Sequence, residues 1–151
     1  MEANELITGF KMEKLNCESL MIGDWVMYNP NVFIEDEYEP TKECLPTKVN
    51  NGEDIDLAIE GCYIPIPLTP EILKKNGFTK STPPPGIHAR CYNLNNKEEK
   101  YHLTIANYNK YKRLLLNVDS EDSECFNIKC DYVHELQHAL RLCRIKKEIV
   151  L

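Results

Sequence analysis

Five consecutive residues, His134-Glu135-Leu136-Gln137-His138, have the types and spacing to do chemistry. On a helix, two histidines one turn apart can grip a zinc ion from one face, and the glutamate between them can activate a metal-bound water for hydrolysis. A zinc hydrolase also needs a third protein ligand. The extended form of the motif would put glycine at 141 and histidine at 144, where this chain has Arg141 and Arg144. Glu148 is the only acidic residue after His138, so a third ligand would come from upstream, with His88, His102 and Cys130 as candidates. Cys125, Cys130, His134 and His138 form a second set with zinc-compatible donors. Only three residues separate its cysteine pair from its histidine pair, too few for a loop that closes a tetrahedron.

The helix that would carry the motif has its own pattern. Val133, Leu136, Leu140 and Cys143 recur at spacings of three, four and three, the mark of one apolar stripe. Asp131 is the expected N-cap and the helix is expected over 132–146, with Lys146 and Lys147 favouring its C-terminal end. Both histidines then fall beside the stripe, towards solvent. A polar flank of an amphipathic helix is therefore the preferred reading of the motif, and a zinc hydrolase is the alternative. No metal and no cofactor are expected.

Other chemistry is thinner. The six glycines form neither a phosphate loop nor a dinucleotide fingerprint, and there is no nucleophile elbow. Tyr108-Asn109-Lys110-Tyr111-Lys112-Arg113 mixes aromatic and basic groups as single-strand nucleic-acid binders do, which gives a second alternative function. A hairpin turn with polar flanks explains it more simply. Acid is clustered at Glu35–Glu39, Glu53–Asp56 and Asp119–Glu124, and 18 basic against 24 acidic residues leave a net charge of −6. That balance opposes binding driven by release of phosphate counterions. It suits docking onto a basic partner surface. Glu121, Asp122 and Glu124 sit at an expected hairpin tip with no core duty, and they are the candidate partner-binding residues.

The elements that would position these groups read as α+β. Residues 1–19 form an N-terminal extension. Residues 20–68 form a small β subdomain, with a turn and strand at Met21–Tyr28, Trp25 as a core anchor, an Asn50-Asn51-Gly52 turn and a β-like run from Asp56 to Ile66. Residues 69–151 form the rest, one compact unit with 20–68. There Thr69 as N-cap, Pro70 at the first helical position and Gly77 just beyond the end predict a two-turn helix over 70–76, with Phe78 docking after it. Four short strands follow, at His88–Leu94, Lys100–Tyr108, Tyr111–Val118 and Cys125–Cys130, in an antiparallel meander against which the C-terminal helix packs. A chain of 151 residues, 42% hydrophobic and 28% charged, can build such a core and is neither wholly disordered nor fibrous. No apolar run is long enough for a membrane span. Seven cysteines, an odd number without a CxxC pair, and no basic-then-apolar leader at Met1–Leu6 predict reduced thiols in a cytoplasm.

Three blocks resemble a widespread group of small proteins from phages, prophages and other mobile elements of Bacteroidota. Met21-Ile22-Gly23-Asp24-Trp25-Val26 is similar to that group's opening RIGNWV. The second block is Pro65-Ile66-Pro67-Leu68-Thr69-Pro70-Glu71-Ile72-Leu73 running to Asn76-Gly77-Phe78, and the third is Ile128 with Tyr132 to Cys143. The likeness covers residues 20 to 151 in order and departs at the N-terminal extension and in 29–52. In the group, the position of Glu135 is often glutamine and that of His138 can be asparagine, which implies a tolerated surface helix. The resemblance implies a bacterial host cell but no activity, cofactor or catalytic residue. Small acidic proteins of that setting often block host machinery. The expected function is therefore non-enzymatic binding of a host protein, foremost an RNA-guided nuclease complex in an anti-CRISPR-like inhibition, with no membrane and no small-molecule substrate.

Overall fold

The computed structural model describes residues 15, 20–33, 43–83, 85, 88–97, 101–108, 111–118 and 126–151. The chain divides into two compact units, Met1–Ile66 and Pro67–Leu151.

The first unit is built on a three-stranded antiparallel sheet in the order β2-β1-β3, from β1 (Trp25–Tyr28), β2 (Leu45–Lys48) and β3 (Tyr63–Pro65). A short 3-10 turn, Pro30–Phe33, follows β1. Val26 on the central strand is fully buried with Val49, Ala58, Tyr63 and Leu15, and Leu20, Tyr28, Ile55 and Leu57 pack against them. Trp25 is not the anchor expected of it. It is half-buried, with the Lys48 ammonium 5.1 Å from its ring centroid, because alternation along β1 gives the inward position to Val26.

The β-like run expected from Asp56 to Ile66 is corrected to a helix, α1 (Gly52–Ile59), followed by β3. The supposed Asn50-Asn51-Gly52 turn is its N-terminus. The Asn51 side chain accepts from the Asp54 amide (3.1 Å), and the Asp54 carboxylate accepts from the amides of Asn51 (3.3 Å) and Asn50 (2.6 Å). This reciprocal capping box satisfies donors that a helix start would otherwise leave without partners. Asp54 also accepts from the Tyr63 hydroxyl at 2.9 Å, tying α1 to β3.

These bonds hold the Asp54 carboxyl below its ordinary range, the Asn50 amide contributing most, while burial and then the Asp54 bond push the Tyr63 phenol up to about 12. A carboxylate depressed by folding adds stability that is present above its unfolded pKa and lost as pH falls through the folded value. Acid titration of wild type and Asp54→Asn, followed by circular dichroism, should therefore show the stability gap narrowing below the ordinary aspartate pKa. An unchanged gap would count against the capping role.

The second unit opens with α2 (Pro70–Lys75), close to its expected bounds. The Thr69 hydroxyl accepts from the Ile72 amide at 3.3 Å, and Leu73 and Phe78 are buried. Five antiparallel strands follow in the order β4-β5-β6-β7-β8: β4 (Thr79–Ser81), β5 (Arg90–Asn96), β6 (Tyr101–Tyr108), β7 (Tyr111–Val118) and β8 (Phe126–Lys129). The four expected strands are all present. The fifth, β4, was hidden by its polar composition, which an edge strand tolerates. Register aligns Tyr92 with Ile105 and Leu94 with Leu103 across β5 and β6, and Leu114 and Leu116 of β7 continue those two rows. Tyr92, Leu103 and Ile105 are buried, while the alternate positions Asn93, Asn95, His102 and Thr104 are half-buried or exposed. One face of the β5–β6 pair is thus core, and the other is polar at these four positions but buried where Cys91 pairs with Ala106.

The last helix, α3 (Val133–Leu142), is four residues shorter at its C-terminus than the expected span to 146, and its N-cap is Tyr132 rather than Asp131. Glu135 rather than Asp131 supplies the capping carboxylate. The early stop follows from side-chain periodicity. At 100° per residue, a continued helix would carry Ile145 and Ile149 to the side opposite Leu136 and Leu140. Instead the chain turns at Arg144, and Ile145 and Ile149 are buried.

The three α-helices of the described residues end alike. The amide two residues past the C-cap bonds to the carbonyl five back (Cys62 to Leu57, Phe78 to Leu73, Ile145 to Leu140), and the amide between bonds three back. This closure needs a left-handed residue, supplied by Gly61 (φ 87°), Gly77 (φ 84°) and, in α3, Arg144 (φ 58°).

Candidate functional site

The H-E-x-x-H segment lies on α3, and its glutamate is already engaged. Oε2 of Glu135 accepts from the backbone amides of Asp131 (2.7 Å) and Tyr132 (3.1 Å). Glu135 is the third residue of the helix, the position from which a side chain reaches back to the cap. A general base would have to aim the same carboxylate at a metal-bound water.

His134 is corrected from the solvent flank to the interior: it is only 5% exposed. Its ring stacks on Tyr132 with centroids 5.9 Å apart and planes 13° from parallel, and meets His138 edge-on at 5.8 Å. His138 is half-buried. The buried face of α3 is wider than the expected stripe, since Gln137 and Ala139 are buried as well.

The candidate third ligands do not join them. Nε2 of His102 lies 3.0 Å from the Thr104 hydroxyl, and Nδ1 contacts the Asn95 side-chain oxygen. The Thr104 hydroxyl in turn donates to Asn93 Oδ1 at 2.9 Å, completing a polar ladder across β5 and β6. His88 is exposed ahead of β5, and Cys130 is fully buried just before α3. Cys125 lies outside the described residues. Among the described residues, no group of three or more His, Cys, Asp or Glu side chains is placed to hold a metal ion.

Conservative exchange separates the two roles of Glu135. Glu135→Gln keeps an acceptor for the cap and should leave stability nearly unchanged, whereas Glu135→Ala should cost about 1 kcal/mol. Equal losses in both, measured by urea unfolding, would argue against the capping role.

Glu121, Asp122 and Glu124 lie outside the described residues, as do Glu35–Glu39 and Lys110. Lys112 and Arg113 stand at register positions opposite Asn107 and Ala106 near the start of β7. The remaining acidic cluster is ordered on α1. Glu53, Asp56 and Glu60, at helical spacings of three and four, are exposed on one side, with Ile59 beside them at 60% exposure. From Val49 to Leu73 the sequence contains no Lys, Arg or His. Reading 56–66 as strand concealed this face, although the 53/56/60 spacing and the Asn51–Asp54 pair were the signals for it.

Among the described residues, burial sets the character of most cysteines. Cys62, Cys91 and Cys130 are buried and Cys44 and Cys143 half-buried, all as free thiols. Burial pushes the Cys62, Cys91 and Cys143 thiols up, away from the reactive thiolate. No helix among the described residues is long and apolar enough to cross a membrane. No protein-family model matches the chain, and no curated protein or solved structure does.

Proposed function

We propose that this chain is a non-enzymatic binding protein of a phage or other mobile element, which occupies a basic surface of a host defence protein. An RNA-guided nuclease is the foremost target. The observation that carries this reading is the exposed acidic side of α1, where Glu53, Asp56 and Glu60 flank the exposed apolar Ile59. Such a face combines the two parts a docking surface needs. Clustered charge steers encounter with a basic channel built for nucleic acid, and an apolar side chain supplies contact once the partner has arrived. The likeness to mobile-element proteins supports the setting, and the capping duty of Glu135 favours binding over hydrolysis.

The test is affinity capture from a Bacteroidota lysate, followed by a CRISPR interference assay with the protein expressed. Wild type should capture a nucleic-acid-binding effector and lower interference. Glu53→Gln/Asp56→Asn/Glu60→Gln should slow association by on the order of tenfold or more at low salt, with the difference shrinking as salt rises. Clean capture without any effect on interference would remove the inhibitor reading. Stoichiometric zinc in the purified protein, lost from His134→Ala/His138→Ala, would favour the hydrolase instead.

A further inference from the structure

We infer that the segment Ile145–Leu151 is an exchangeable strap, and that a second copy of this chain can receive it in place of the chain's own α2. The strap is held through backbone as much as side chain. The Asn76 side-chain amide donates to the Val150 carbonyl at 2.7 Å, and its oxygen accepts from the Val150 amide at 2.8 Å, so one side chain pairs with the strap as a neighbouring strand would. Asn76 is itself buried, and its amide also donates to the Ile72 carbonyl at 2.8 Å, which fixes it on α2. The Lys75 ammonium reaches the Leu151 carbonyl. Ile145 and Ile149 are buried. An identical strap from another molecule could make every one of these contacts.

The hinge favours the exchange. Arg144 is the only non-glycine residue with a positive φ among the described residues, and it occupies the position that Gly61 and Gly77 fill in the other two helices. A side chain in the left-handed region is strained, and opening the hinge releases that strain. Cys143, Arg144 and Ile145 include neither glycine nor proline, so Arg144 can take ordinary right-handed backbone in the opened hinge while the strap beyond it keeps its form. In one molecule that opening carries Ile145 and Ile149 away from their own core. In a pair it delivers them to the neighbour. A short, strained hinge between a helix and the segment it holds in place is the arrangement that invites swapping.

Size-exclusion chromatography with light scattering, from low micromolar to millimolar protein, reads the exchange. Wild type should dimerise in a concentration-dependent manner. Arg144→Gly relieves the closed hinge and should weaken dimerisation by on the order of tenfold, since two hinges open per dimer. Arg144→Val, whose branched side chain tolerates the left-handed region worse, should strengthen it by a similar factor. In a dimer mixed from labelled and unlabelled chains, isotope-filtered NMR should show contacts between the Asn76 amide of one chain and Val150 of the other. Equal dimer content in wild type and Arg144→Gly at every concentration would overturn the inference, even if Arg144→Val fails to fold. A dimer whose Asn76–Val150 contacts are all within one chain would overturn it too.

Discussion

Leu136→Ala and Leu140→Ala should each lower the unfolding free energy by about 2–5 kcal/mol, the range for deleting a leucine side chain from a packed interior. Leu136 is fully buried and Leu140 is 1% exposed, so neither site is open to water in the folded chain. Truncation removes apolar burial and leaves a void that neighbours close only in part. Leu142 on the same helix is the control. It is 79% exposed, and Leu142→Ala should shift stability by no more than about 0.5 kcal/mol. Urea unfolding of the three variants tests the orientation of α3 directly. Similar midpoints for Leu136→Ala and Leu142→Ala would mean that the helix does not bury this face.

Asn76→Ala comes next in size. It removes three hydrogen bonds at once, two of them to the Val150 backbone and one to the Ile72 carbonyl. Leaving a buried polar group without its partner costs about 1–3 kcal/mol, with strap groups that regain water at the low end. Asn76→Asp is the sharper variant. It keeps the oxygen that accepts from Val150 but turns a second oxygen towards two carbonyls. At neutral pH the new carboxylate is buried and repelled, so its folded-state pKa lies above the unfolded one. Stability should then recover as pH falls, because the protonated form is neutral and can donate one bond. Hydrogen exchange at the Val150 amide gives a local readout. Unchanged protection in Asn76→Ala would show that the strap does not depend on this side chain.

What could be read from the residues was whatever neighbouring residues decide among themselves. α2 was legible because Thr69, Pro70 and Gly77 each act within a turn of the helix they bound. The strands of the meander were legible because alternation and turn residues coincide there. α1 was misread because Asp56–Ile66 is rich in β-prone side chains, and the deciding signal, the Asn51–Asp54 exchange, lies at its edge. β4 has no apolar residue and exists only because β5 offers it a partner. The end of α3 is set from a distance: its local propensity runs on, but Ile145, Ile149 and the Asn76 amide call the chain back. The burial of His134 had no local signal, since it depends on what packs against the helix. The expected partner residues of the 119–124 segment stay outside the described chain, while the ordered acid on α1 was legible as charge and not as a face.

The place of Glu135 within its helix reaches beyond this chain. H-E-x-x-H and the helix-start pattern with glutamate in third place are two sentences written in the same letters. Which one is being spoken depends on a coordinate that the letters omit: the distance from the glutamate to the first turn. A carboxylate one turn or more into a helix is out of reach of the leading amides and is at liberty to face a metal. One in third place, as here, is within their grasp. Scoring that offset alongside the five letters would sort motif matches before any metal assay is run. It also foretells which exchanges such a helix accepts, because glutamine speaks the second sentence as fluently as glutamate and the first not at all.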